Sequence, residues 1–171
     1  MTYPLAYLIT FRTYGTWLHG DRRGSVDTHG WNTYGEPNRW ADTDLVTEMM
    51  ARMKSGPFLL DGRMRRIVRL AIEDVCSFRA YLLQGLNVRT NHVHSVVTAE
   101  TNPDSMATTF KANATRTLRE NGLLHPDQKV WSRGASTRYL WKQEHVDKAI
   151  DYVINGQGDD LPEFLLPDKQ S

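Results

Sequence analysis

The segment Asn91-His92-Val93-His94-Ser95-Val96-Val97 sets two imidazoles two residues apart in a valine-rich run. Such a run reads as a β-strand. Side chains alternate faces along a strand, so His92 and His94 point the same way. Imidazole is a good ligand for first-row divalent metals, and a same-face pair can meet one ion without bending the backbone. A third protein ligand with open positions beside it would make such a centre catalytic rather than structural. The competing reading is two polar side chains on a half-exposed strand; the shared face favours metal. A second reactive group lies near the C-terminus. In Gln143 to Asn155 the apolar stripe Val146, Ile150, Val153 and Ile154 has helical spacing, and Tyr152 falls off that stripe. There it can meet something outside its own helix's packing face, or pack as an ordinary aromatic on a neighbouring element. Tyr139, in the strand-like Thr137-Arg138-Tyr139-Leu140-Trp141, is the rival and reads as a core or edge aromatic.

These residues need a scaffold, and the chain supplies elements for one. Tyr3 to Arg12 is a near-continuous apolar strand, of the kind found at a sheet centre. From Tyr14 to Asp42 glycines alternate with Trp17, Trp31, Tyr34 and Trp40, which predicts an ordered loop insertion over 14–42 packed by its aromatics. Thr43 to Lys54 predicts a short helix. Asp61 to Arg79 predicts a longer one, with Met64, Ile67, Val68, Ala71, Ile72 and Val75 as its buried stripe. Tyr81 to Arg89 and the histidine strand should form an antiparallel hairpin about Thr90-Asn91. A helix from Ser105 to Glu120 turns Met106, Phe110, Ala114 and Leu118 inward and stops at Asn121-Gly122. Lys129 to Trp141 holds a strand or hairpin around Gly134, and the Tyr152 helix follows. The fold class is α+β: the order βαββαβ is the ferredoxin-like split arrangement, an antiparallel sheet with two helices on one face. A C-terminal helix carries the tyrosine. Residues 1–157 form a single domain, and 158–171 form an extended tail.

Composition narrows the classes. The 171 residues suit one domain that needs no staple. Lys and Arg number 21 against 20 Asp and Glu, a net charge of +1, which argues against a charge-driven nucleic-acid coat. The lone cysteine, Cys76, lies in an apolar helical pattern and reads as a buried small hydrophobe. The sequence shows no signal-peptide pattern and no apolar run that could span a bilayer, so no membrane partner is expected. The expected location is cytoplasmic and nucleoid-associated. A barrel metallohydrolase needs about 250 residues. A double-stranded β-helix enzyme needs an all-β chain.

His92-Val93-His94, preceded by Asn91 and followed by valines, resembles the His-hydrophobic-His motif of the HUH single-tyrosine transposases. This family comprises small insertion-sequence transposases and the REP-associated tyrosine transposases. Tyr7-Leu8-Ile9-Thr10-Phe11-Arg12 is similar to the family's first strand. Asp151-Tyr152-Val153-Ile154-Asn155-Gly156-Gln157 is similar to its tyrosine segment, and Val130-Trp131-Ser132-Arg133-Gly134 to its strand before that helix. The resemblance spans roughly residues 3–157. It implies a single-stranded DNA transposase or nickase, with Tyr152 as nucleophile, a 5′-phosphotyrosine intermediate and Mg²⁺ or Mn²⁺ held by His92 and His94. The chemistry is coherent. Tyrosine is a poor nucleophile while protonated, with a pKa of about 10. A bound cation neutralises phosphate charge and organises the attack. The covalent link conserves bond energy, so rejoining needs no ATP.

The third metal ligand is open. The family's amide or acid side chain one turn after the tyrosine falls here on Gly156, which has none. Gln157 is favoured and Asn155 is the alternative. Between Ser105 and Lys142 seven basic residues face two acidic ones, so this stretch of the chain is basic. Lys111, Arg116, Arg119, Arg133 and Arg138, with Arg12, are the candidate DNA contacts, with Lys129 and Lys142 in the same group. Arg63, Arg65, Arg66 and Arg69 form a second basic group. The loop aromatics could stack unpaired bases or anchor their own loop. His19 and His29 read as ordinary loop residues. The expected partner is single-stranded or hairpin DNA, with a homodimer possible through the Arg133 to Trp141 region. The alternative function is a catalytically impaired hairpin-DNA-binding module on the same fold, which Gly156 favours. A small metallohydrolase is a weaker third.

Overall fold

A strand whose residues are buried on both faces must sit inside a sheet with a layer on each side. The segment β1 (Ala6–Arg12) is such a strand, with every side chain from Ala6 to Phe11 buried. The computed structural model describes residues 2–15 and 56–156. The glycine- and tryptophan-rich insertion beyond Gly15, the expected helix at 43–54, and the tail lie outside the described residues.

Along the chain β1 is followed by α1 (Gly62–Arg79), β2 (Leu82–Val88), β3 (His92–Thr98), α2 (Pro103–Glu120), β4 (Ser136–Leu140) and α3 (Gln143–Asn155). The fold is α+β, with one four-stranded sheet in the order β2-β3-β1-β4. Every neighbouring pair is antiparallel. Local chemistry sets the helix starts. Asp61 accepts from Met64 N at 2.9 Å to cap α1. Asn102 accepts from Asp104 N at 2.8 Å, and Pro103 follows at the first helical turn, where a missing N–H costs nothing. Gly122, at φ +71°, takes the left-handed conformation just beyond α2.

The sheet separates two apolar clusters. On one face Tyr7, Ile9, Phe11, Val93 and Val97 pack under α1 and α2, with Val68, Ile72, Met106, Phe110 and Leu118 among the helix contributions. This is the pair of helices on one face that the sequence pattern predicts. On the other face Ala6, Leu8, Val96 and Leu140 meet Val146, Ala149 and Val153 of α3. The α3 stripe differs by one step from expectation. Ala149 is buried and Ile154 is 48% exposed, because the small Ala149 lets the helix sit close and Ile154 lies about 100° past Val153.

Two further details refine the pattern. Of the strand or hairpin expected within Lys129 to Trp141, the strand is present. Trp131 forms an isolated bridge with Thr13, Gly134 takes φ +78°, and only Ser136–Leu140 is a strand. The register of β2 on β3 shifts between Leu83 and Gly85, a β-bulge at Gln84. Leu83 pairs with Val97 before it, and Gly85 with Val96 after it. The extra residue inverts the alternation. Leu83, Leu86 and Val88 therefore all join the cluster under α1 and α2, while Gly85 and Asn87 turn to the α3 side. No helix among the described residues is long and apolar enough to cross a membrane.

Candidate active site

His92 and His94 lie on β3 with their rings 4.6 Å apart, centroid to centroid. The register places Arg12 opposite His92, and Thr10 and Asn87 on either side of His94. All share the α3 face of the sheet. His94 is 5% exposed and Thr10 is buried beside it. Their hydrogen bond, Thr10 Oγ1 to His94 Nδ1, measures 2.7 Å. His92 Nδ1 donates to Asn91 Oδ1 at 2.6 Å. An amide oxygen only accepts, so this bond places a proton on Nδ1 of His92, which in the neutral ring leaves the lone pair on Nε2. An oxygen at Nδ1 of each ring is the usual outer support of metal-binding imidazoles. Among the described residues, no third His, Cys, Asp or Glu joins the pair to make a three-residue metal cluster.

Tyr152 comes to this face from α3. Its ring lies edge-on to His94 at 5.4 Å between centroids, within one chain, and it is 44% exposed. One edge of the tyrosine thus faces the histidines and another faces water. Tyr139, the rival, alternates to the opposite face and packs edge-to-face on Tyr7 at 5.1 Å. The sheet stands between it and the histidines.

Helix α3 stays regular through Asn155, whose amide nitrogen donates to Asp151 Oδ1 at 2.8 Å. Gly156 N donates to Tyr152 O at 3.0 Å. A β-carbon at 156 would stand 2.8 Å from that oxygen and 3.1 Å from Cδ2 of the Tyr152 ring. A side chain there would press on the tyrosine, which gives the glycine a local reason. Gln157 lies outside the described residues.

The expected DNA contacts divide between the two layers. Arg12 and Arg138 belong to the histidine face by strand alternation, and Arg133 is exposed in the loop before β4. Lys111, Arg116 and Arg119 sit on α2, behind the sheet. Lys111, expected as a DNA contact, is bonded within the fold. Its ammonium donates to Ser132 O at 2.9 Å and to Gly134 O, and lies 5.8 Å over the Phe11 ring. Burial lowers its pKa to about 8. Arg116 pairs with Glu120 at 2.8 Å. In the second basic group, Arg65 is buried and donates to Leu60 O at 2.7 Å, and Arg69 pairs with Glu73 at 3.0 Å. Cys76 is buried as its pattern predicts, and burial pushes its thiol up to about 11.

Two site residues were not anticipated, Thr10 and Asn87. Each is a polar side chain flanked on its strand by apolar ones, and that is the available signal. A buried polar group needs a partner, and here the partners are His94 and the backbone of α3.

No family model and no curated protein matches this sequence. Among solved structures, the chain is similar to a REP-associated tyrosine transposase bound to a REP hairpin. The identity is 14% and the TM-score 0.47, over 99% of this chain and 70% of that one.

Proposed function

We propose that this protein is a metal-assisted nicking and joining enzyme for single-stranded or hairpin DNA, with Tyr152 as nucleophile. The observation that carries this reading is the meeting of His94 and Tyr152, 5.4 Å apart between rings, from two different elements of one chain. It supports a tyrosine that serves its own chain's histidines. The βαββαβ order, taken as the ferredoxin-like arrangement, and the His92-Val93-His94 motif agree with the HUH single-tyrosine family.

The step balances without a co-reactant. The Tyr152 oxygen attacks phosphorus and forms a P–O bond. The bond to the 3′ oxygen breaks, and that oxygen leaves as a 3′-OH with a proton, while the 5′ side stays on tyrosine. The reverse attack rejoins strands. His92 and His94 would hold Mg²⁺ or Mn²⁺, and Gln157 or Asn155 would complete the protein ligands. When bound, the ion would neutralise charge on the scissile phosphate. Imidazole donors suit Mn²⁺ better than Mg²⁺. Arg12 and Arg138, on the same face of the sheet, would pair with the flanking phosphates.

The test is an adduct assay. A 3′-labelled single-stranded oligonucleotide with Mn²⁺ should yield a labelled protein band on a denaturing gel. Tyr152→Phe should abolish the band and Tyr139→Phe should retain it. A band that survives Tyr152→Phe refutes the assignment. A second reading, a hairpin-binding module without chemistry, is favoured by Gly156 at the expected ligand position. Tight hairpin binding with no adduct under either metal would establish it.

A further inference from the structure

We propose that Asn87 is a positioning residue that latches the tyrosine-bearing end of α3 to the histidine face. This rests on the reading of Tyr152 as nucleophile. Asn87 is 8% exposed, and its Nδ2 donates to Val153 O at 2.9 Å. The last four carbonyls of a helix have no donor within the helix. In α3 the Tyr152 carbonyl is taken by Gly156 N, and the Val153 carbonyl by Asn87. The amide therefore grips the residue next to the nucleophile, and its own strand position is opposite His94. Asn87 thus links both halves of the site, its side chain bonded to α3 and its backbone in register with His94.

Strand β2 is shaped for this. The bulge at Gln84 turns Gly85 and Asn87 to the α3 side. At Gly85 an added β-carbon would lie 3.6 Å from Val153 Cγ1 and 4.0 Å from Ile150 Cα, so the helix rests almost on bare backbone. The start of α3 at Lys142 makes no side-chain cap, and the helix buries Val146, Ala149 and Val153, with Ile150 packed beside them. The Asn87 bond adds a directional contact at its C-terminal end. Displacement of the tyrosine by about 1 Å is enough to cost on the order of 100-fold in rate.

The experiment pairs two readouts on Asn87→Leu, which keeps size and burial and removes the donor. Amide exchange in the segment from Tyr152 to Gly156 should speed up by about 10-fold, while β1 and β3 amides stay protected, because the opening is local. Adduct formation should fall about 10- to 100-fold, with oligonucleotide affinity unchanged within about twofold. Asn87→Asp, which sets a carboxylate against the carbonyl, should be slower still. If the leucine variant does not fold, Asn87→Ala carries the same test. Unchanged exchange in α3, or faster exchange spread evenly over the sheet, overturns the latch. Local exchange with an unchanged adduct rate overturns its positioning role. Local exchange in a protein whose wild type forms no adduct leaves the latch standing and refutes the nucleophile.

Discussion

Replacing Thr10 by valine removes one hydroxyl and little volume. In this protein that hydroxyl is the partner of His94 Nδ1 at 2.7 Å, and both groups are buried. The variant leaves a polar ring nitrogen facing a methyl group in a place water does not reach. Such a loss costs about 1–3 kcal/mol of folding stability. For a chain of this length that lowers the melting temperature by roughly 2–12 °C. The same bond orients the ring, and losing an outer support of this kind weakens metal binding about 10- to 100-fold. Mn²⁺ titration by calorimetry and thermal unfolding by circular dichroism read the two effects separately. Thr10→Ser keeps the hydroxyl and should recover most of the metal affinity while losing some packing. Valine and serine variants with equal Mn²⁺ affinity would refute the idea that this hydroxyl orients a ligand. A valine variant as stable as wild type would refute the bond's energetic weight.

Two other outcomes are expected. Arg12→Ala and Arg138→Ala should each lower the slope of log affinity against log salt for single-stranded DNA by about 0.7, and Arg119→Ala should not. A slope that responds only to Arg119 would place the DNA on the α1/α2 side. Lys111 has a folded pKa of about 8 against an ordinary 10.5, so between these values the unfolded chain holds a proton that the folded chain has released. Stability through this group therefore rises with pH across that window and is flat above it. Urea midpoints at pH of about 7.5 and 9.5 should show wild type gaining about 1 kcal/mol relative to Lys111→Met, after discount for its partial exposure. Midpoints that move in parallel would show that burial does not perturb this lysine.

The elements were legible because their signals are local. The stripe of α1, the caps at Asp61 and Asn102, and the alternation that puts His92 and His94 on one face are each written within a few residues. The exposure of Tyr152 follows from its offset from the apolar stripe, although the sequence pattern puts Ile154 in that stripe where the fold buries Ala149. What did not show was long-range. Nothing near Lys111 in sequence indicates that Ser132 and Gly134, more than twenty residues on, present carbonyls to its ammonium. Arg65 reads as one more surface cation until the Leu60 carbonyl folds back to it. Asn87 is polar in an apolar strand, but its partner is 66 residues away. A period-two reading of β2 also sends it to the wrong face, because one extra residue changes the count.

That extra residue has a consequence for how this chain can vary. In most of a fold, insertions and deletions accumulate in loops, and strands tolerate exchange of side chains. In β2 the reverse constraint holds. Side chains there can be exchanged for others of like character, but loss of one residue near Gln84 would reverse every position after it on one strand. Leu86 and Val88 would be delivered to the histidines, and Gly85 and Asn87 to the core beneath α1 and α2. Relatives that share this site should therefore hold the length between α1 and the histidine motif fixed while its letters drift.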